Sequence, residues 1–313
     1  MQQPSHLPRE LRGRPFTVAE ASLEGVSRGR LRSNDLRVPF RGVRTDVLEP
    51  SLEIRVEALL AVLGPGAVLS HLTAARLWPL PLPQPLGAEK LHVGVRSQAR
   101  APRQPGVVGH AISDPRVRGI LRHGLPMTDG ASLFCHLGTL LELDDLVAVG
   151  DALVLTPRRG DAADPRPWVP LADLHDRVAS FRGRGSVRLR EAVALVRGGA
   201  ESRQETRFRL ASVRAGLPEP LLQVPLFTSA GVFVGRPDGW YPRERVSWEY
   251  EGDGHRTSNR QFARDVGRYD DFLAIGVHPV RIVAAEFLPH PERSVERLRR
   301  ALADRSVTNG SLT

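Results

Sequence analysis

Between two aromatic residues, Trp248 and Tyr250, the chain places a carboxylate, Glu249, inside a run (Arg245–Glu251) that alternates as a strand does. Val246, Trp248 and Tyr250 fall on one face; Ser247, Glu249 and Glu251 fall on the other. A charge flanked by so much apolar bulk is costly unless it has a partner or a task. Other reactive side chains gather around it. Asp238 follows Pro237 at the end of the preceding extended run, and Glu205 lies on a helix upstream. The strand continues into Glu251-Gly252-Asp253-Gly254-His255-Arg256, and Arg260, Arg264 and Arg268 then recur at i, i+4 and i+8. Carboxylates bind hard divalent cations, an imidazole moves a proton at neutral pH, and guanidinium groups hold phosphate. Each residue also has a plainer reading. Glu205 fits a solvated helix acid paired with Arg209 at i+4, and Asp238 fits a turn cap before Trp240. His255 fits a surface histidine, and the arginine stripe fits a solvated helix face.

The elements that must position these groups follow from periodicity and punctuation. Gln204 to Ala215 reads as a helix, stopped by Gly216 with Pro218 beyond. Leu221–Phe227 and Gly231–Asp238 read as extended runs joined by Thr228-Ser229-Ala230-Gly231. Pro242-Arg243-Glu244 turns the chain into the strand that carries Glu249. Asn259 to Ile275 keeps Phe262, Val266, Tyr269 and Leu273 on one helical face. A last strand, Val280–Val283, precedes a charged terminal helix.

Helix, three strands, helix, strand is the shared core of the PD-(D/E)XK nucleases, and Pro237-Asp238 followed by Glu249 has the spacing of their acidic pair. The run Glu249-Tyr250-Glu251-Gly252 with His255 following, then Arg264-Asp265 and Arg268, resembles very-short-patch-repair endonuclease-like domains of that superfamily. The resemblance spans most of residues 201–283. It implies a restriction-endonuclease-like mixed sheet flanked by helices, and Mg2+ (or Mn2+) as cofactor. Asp238 and Glu249 would be the metal ligands, and Glu205 an outer acid that orients a ligand or water. His255 would be the general base or a phosphate contact, and Arg268 the cation facing the transition state. The lysine of the superfamily signature is absent. Glu251 occupies its slot, where it would ligate a second metal, and Lys90, the only lysine, lies elsewhere. Val277 stands where the group has tryptophan, and Pro279 limits pairing at the start of the last strand.

The N-terminal region reads as a winged helix-turn-helix. Phe16 to Ala21 opens a short helix, Gly25-Val26-Ser27 is a turn with Ser27 as N-cap, and Arg28 to Leu36 is expected as a second helix. Arg37 to Thr45 fits a wing around Arg41-Gly42-Val43. Arg28, Arg30 and Arg32 would then lie on the helix offered to DNA. Helices Leu52–Leu63, Ser70–Leu77, Ala131–Leu143 and Asp144–Leu155 and a strand Leu91–Val95 are expected to follow. The Gly-Val-Ser turn, the Arg-Gly-Val wing, Leu69-Ser70-His71-Leu72-Thr73-Ala74-Ala75 and Gly124-Leu125-Pro126-Met127-Thr128 together resemble AbiEi-type antitoxin-like regulators over residues 15–155. Ser132, Leu133 and His136 stand where that family often carries Arg-Thr and Asp.

Arg158–Pro170 is a Pro/Gly-rich linker, and Gly198-Gly199 marks a boundary near residue 200. The expected architecture is therefore multi-domain α/β. Residues 1–50 form a winged-helix unit, 51–157 an α/β middle domain, 158–200 a linker with helices, and 201–305 the nuclease-like domain.

Composition is compatible with this reading. The 313 residues carry a net charge of +9, nearly all of it from arginine, which raises affinity for nucleic acid; an arginine-rich compositional bias with solvated side chains is the alternative. No apolar run approaches the roughly 20 residues that cross a bilayer, and Met1 to Arg14 lacks a signal-peptide core, so a cytoplasmic protein is expected. The single cysteine, Cys135, reads as a buried thiol, and ten dispersed histidines give no zinc-site spacing. The expected activity is Mg2+-dependent hydrolysis of DNA phosphodiesters, with DNA as partner and a toxin–antitoxin or defence-operon protein as a further one. The alternative is a non-catalytic DNA-binding regulator with a degenerate nuclease domain.

Overall fold

The computed structural model describes residues 6–84, 90–96, 99–252 and 259–310, with backbone only for 259–266 and 307–310. The chain is mixed α/β and divides into two compact units, residues 1–74 with 87–129, and residues 75–86 with 130–313. Among the described residues no helix is long and apolar enough to cross a membrane.

The first unit opens with β1 (Phe16–Thr17) and α1 (Val18–Leu23). Thr17 starts α1 with a reciprocal capping box: its hydroxyl accepts from Glu20 N–H at 3.0 Å, and the Glu20 carboxylate accepts from Thr17 N–H at 2.8 Å. The second N-terminal helix expected over Arg28–Leu36 is absent. Ser27 does cap at this point, accepting from Arg30 N–H at 3.2 Å, but only a single 3-10 turn, Arg30–Arg32, follows. Gly29 and Asn34-Asp35 weaken helix propagation, and the Arg30 side chain turns inward to a bidentate pair with Asp35 at 2.9 and 2.7 Å. The expected wing is a loop, closed by an antiparallel bridge between Arg37 and Thr45; β2 (Val43–Arg44) pairs with β1.

After α2 (Leu52–Leu60) come β3 (Val68–Leu69), the start of α3 (His71–Leu77), β4 (Leu91–Arg96), β5 (Val107–Ile112), β6 (Gly119–Arg122) and β7 (Leu125–Thr128). They build a five-stranded sheet of order β5-β4-β3-β7-β6, in which β4 and β5 run parallel. Only β4 of these strands is expected from the sequence.

The second unit contains α4 (Gly130–Leu137), which buries Cys135, then α5 (Leu143–Val154), α6 (Leu171–Ser180), α7 (Ser186–Leu195) and α8 (Arg203–Arg214). The boundaries expected near residues 158–170 and 200 both fall inside this unit. Ion pairs tie α5 to α8 across them. Arg203 meets Asp145 at 2.7 Å, Arg214 meets Asp144, and Arg209 meets Asp151 at 3.2 Å with both side chains fully buried. Asp151 also accepts from Thr206 Oγ1 and from Arg197 N–H, so its carboxylate joins three segments. Helix α8 ends as its sequence requires, with Gly216 at φ 84° and Leu217 N–H closing onto Ser212 O at 3.1 Å.

Next come β8 (Leu221–Leu222), β9 (Leu226–Phe227), β10 (Phe233–Gly235), β11 (Gly239–Tyr241), β12 (Val246–Glu251), α9 (Asn259–Ala274), β13 (His278–Val283), α10 (Ala284–Phe287) and α11 (Pro291–Gly310). Strands β9 and β10 form a two-stranded ribbon, and the main sheet has order β13-β12-β11-β8. Val246 and Trp248 of β12 pack with Phe208 of α8, Phe287 of α10 and Leu298 of α11, and Tyr250 packs against the same cluster. On the opposite side Trp240 meets Phe272 of α9 and Val277. The sheet is thus buried on both faces, and Glu249 projects toward α9.

Candidate functional site

Strand β11 reaches β12 through the Pro242-Arg243-Glu244 turn, with Gly239 opposite Trp248. One step beyond that register Asp238 lies beside Glu249, where the β11 ladder ends. Asp238 Oδ2 accepts from Tyr250 N–H at 2.8 Å and Oδ1 accepts from Gln223 Nε2 at 3.0 Å. The carboxylate therefore takes over a strand N–H that a longer β11 would have bonded. Gln223 sits in the left-handed region, at φ 52°, just after β8.

Glu205 enters from α8. It does not pair with Arg209, whose guanidinium is taken by Asp151, Glu219 and the Leu195 carbonyl. Instead its Oε2 accepts from Glu201 N–H at 2.8 Å, and the carboxyl lies buried within reach of the charge on Asp238. Burial raises the Glu205 pKa well above the usual carboxylate range, and the negative charge of Asp238 raises it further. Asp238 is also raised, chiefly by burial and against the pull of Tyr250 N–H and Arg268. For Glu249 burial is again the largest cause; Arg268 opposes it and Asp238 and Glu251 add to it, so the carboxyl is pushed up to about 7.

Arg268, on α9, is the cation that enters this group. It bonds Glu249 and donates from Nη2 to the Arg236 carbonyl at 2.9 Å. Its Nε is buried with no acceptor among the described residues. Glu251, at the end of β12, turns to Arg281 Nε at 3.0 Å and contributes charge rather than a contact. The structure thus brings Asp238, Glu249, Glu205 and Arg268 into one half-buried polar patch, with three carboxyl groups to one guanidinium. Carboxylate oxygens of this kind could hold a hard divalent cation once deprotonated, although Asp238, Glu249 and Glu205 together do not bring their ligand atoms within 4.8 Å of one another. Gln223 and Glu201 were not legible as members, since each arrives only through the packing of β8 and α8.

His255 lies outside the described residues, as does the side chain of Arg264. Of the N-terminal arginines, Arg28 and Arg32 are exposed, whereas Arg30 is buried and bonded to the exposed Asp35, unlike the open guanidinium expected of it. A cavity of about 1120 Å³ runs along β13 and α11, but Asp238, Glu249 and Arg268 are not in its lining. Among the described residues, the one set of three or more metal-ligating side chains whose ligand atoms all lie within 4.8 Å of one another is His71, His92 and His110, in the first unit. These three are dispersed in the sequence and converge through the parallel pairing of β4 with β5 and the turn after β3.

No family model matches the chain, and no solved structure matches it. The chain is similar to two uncharacterized proteins of Mycobacterium tuberculosis, from strains CDC 1551 / Oshkosh and ATCC 25618 / H37Rv. Each is 28% identical over 255 residues, covering 81% of this chain and 88% of the relative.

Proposed function

We propose that the unit carrying α8 to α11 is a restriction-endonuclease-like domain of the very-short-patch-repair type, hydrolysing DNA phosphodiester bonds with Mg2+ or Mn2+. The observation that carries this reading is the meeting of Asp238 and Glu249 at adjacent strand positions, with Glu205 of α8 and Arg268 of α9 beside them. Asp238 and Glu249 would hold the ion, which supplies Lewis acidity at the phosphoryl oxygen and lowers the pKa of water. The chain's own groups account for the rest. Tyr250 N–H and Gln223 fix the Asp238 carboxylate in one orientation, so its lone pairs are preorganised. Arg268 Nε has an N–H that a phosphate oxygen would satisfy, so substrate binding would complete a buried hydrogen bond. His255 is the residue assigned to accept the proton of the attacking water. Exposed Arg28 and Arg32 in the N-terminal unit would add phosphate contacts to DNA, in a winged-helix-like unit whose second helix is reduced to one turn.

A second reading is favoured by Glu251. It stands where the superfamily has lysine and is neutralised by Arg281, so the cationic group of the signature is lost from that strand. On that reading the protein is a DNA-binding regulator of AbiEi-like type with a degenerate nuclease domain, acting with a toxin–antitoxin or defence-operon partner. Incubation of pure full-length protein with duplex, nicked and mismatched DNA in Mg2+ and in Mn2+ separates the two. Cleavage lost in Asp238→Ala supports the nuclease; tight binding without cleavage of any form supports the regulator.

A further inference from the structure

His71, His92 and His110 come from three separate elements and meet at one place. His92 Nδ1 lies 3.0 Å from His110 Nε2, and the His71 and His110 rings stack with centroids 3.5 Å apart. The His92 ring centroid is 5.1 Å from that of His110 and 5.8 Å from that of His71. All three side chains are half-buried, and one ring nitrogen of each lies within 4.8 Å of the others.

Hydrogen bonds and strand pairing hold the backbone of His92 and His110. His92 O accepts from Ser70 N–H at 3.1 Å, and His92 N–H donates to Thr73 Oγ1 at 2.7 Å, so the β4 residue is pinned to the turn that carries His71. His110 is set by parallel pairing opposite Gly94, two residues along the same face from His92. His71 itself is held at φ 48°, a left-handed conformation that a non-glycine residue adopts at a cost and that clusters at functional sites.

We propose that these three imidazoles form a binding site for a divalent late first-row transition ion, zinc foremost, separate in place and chemistry from the carboxylate patch. Zinc bonds imidazole nitrogen at about 2.0–2.1 Å, which in a tetrahedron puts two ligating nitrogens roughly 3.3 Å apart. The 3.0 Å separation of His92 Nδ1 and His110 Nε2 is within a few tenths of an ångström of that spacing. All-nitrogen donors select zinc, nickel or copper and disfavour Mg2+, which needs oxygen. Ser70 Oγ lies 3.0 Å from His71 Nδ1 and is buried. A bond donated by that Nδ1 fixes the tautomer that ligates through Nε2, the usual supporting contact of a metal-bound histidine. A ring lone pair lies in the ring plane, and the His71 and His110 planes are only 14° apart. Occupation therefore requires the stacked pair to splay, a side-chain rotation that leaves the pinned backbone in place. Three histidines leave a tetrahedral ion one further coordination position.

The test uses untagged full-length protein, stripped with chelator and titrated with Zn2+ by calorimetry, with Co2+ absorption as a second readout. One Zn2+ per chain is expected at this site, undisturbed by excess Mg2+, and Co2+ should give the intense visible bands of a tetrahedral nitrogen-ligated ion. His92→Ala and His110→Ala should each lower affinity by about 100-fold or more, and Ser70→Ala by about 10–100-fold. His123→Ala, at an exposed histidine of the same unit, and Asp238→Ala should leave affinity unchanged. Zinc binding that survives in both ligand variants, or that is lost in Asp238→Ala, would overturn the proposal. Should a ligand variant fail to fold, the wild-type Co2+ spectrum decides: weak octahedral bands, or no binding, count against the site.

Discussion

Glu249→Gln is expected to stabilise the metal-free protein at alkaline pH while disabling the carboxylate patch. The Glu249 side chain is only 22% exposed, and its carboxyl is pushed from 4.5 up to about 7, by burial first. A group whose folded pKa is raised favours the folded state below its unfolded value. That stability is lost as pH climbs through the folded value. Between pH 5 and pH 8, spanning most of the interval from 4.5 to about 7, Glu249 therefore removes roughly 2–3 kcal/mol, at about 1.4 kcal/mol for each pH unit. Glutamine keeps an oxygen for Arg268 and carries no charge to desolvate. Urea unfolding of wild type and Glu249→Gln in EDTA, at pH 5 and pH 8, measures the effect as a change of the variant's stability difference with pH. The variant should gain about 1–3 kcal/mol relative to wild type on going from pH 5 to pH 8. A difference that does not change with pH, or that moves against the variant as pH rises, would refute the reasoning that burial holds the Glu249 carboxyl in its protonated form.

Two further outcomes follow from the ion pairs. Asp151→Ala should cost about 1–3 kcal/mol in denaturant melts, because it leaves Arg209 with only Glu219 and the Leu195 carbonyl and removes the acceptor for Thr206 and the Arg197 N–H; no measurable loss would show that the remaining partners suffice. Arg30→Ala should lower the melting temperature without weakening DNA binding. Arg28→Ala with Arg32→Ala should instead weaken binding and flatten its salt dependence at unchanged stability, as read by gel shift across a salt series. Equal loss of DNA affinity in Arg30→Ala and in the double variant would contradict the burial of Arg30.

The sequence carried the second unit further than the first. Alternation along Arg245–Glu251 sorted Trp248 and Glu249 onto opposite faces, and the Gly216 stop fixed the end of α8. Strand β11 was missed because three residues, Gly239-Trp240-Tyr241, are too few to show a period, and Pro237-Asp238 reads as a turn. In the first unit Gly109 and Pro126 interrupt β5 and β7, β6 is only four residues long, and the parallel partner of β4 has no hairpin turn to announce it. The histidine cluster depends on that parallel register, so spacing along the chain could not reveal it. The same holds for the joining of α5 to α8, which rests on Asp145–Arg203 and Asp151–Arg209 rather than on any run of residues. The helix expected at Arg28–Leu36 overvalued the Ser27 cap against Gly29 and the inward pull of Asp35 on Arg30.

The carboxylate patch is tested most directly by one cleavage time course. Full-length wild type and Asp238→Ala are each bound to a labelled mismatched duplex in EDTA, and Mg2+ or Mn2+ in excess then starts the reaction. The expected result is strand cleavage by wild type, with Asp238→Ala remaining bound and leaving the duplex intact. Cleavage by Asp238→Ala at the wild-type rate would contradict the assignment of Asp238, Glu249, Glu205 and Arg268 as the hydrolytic site.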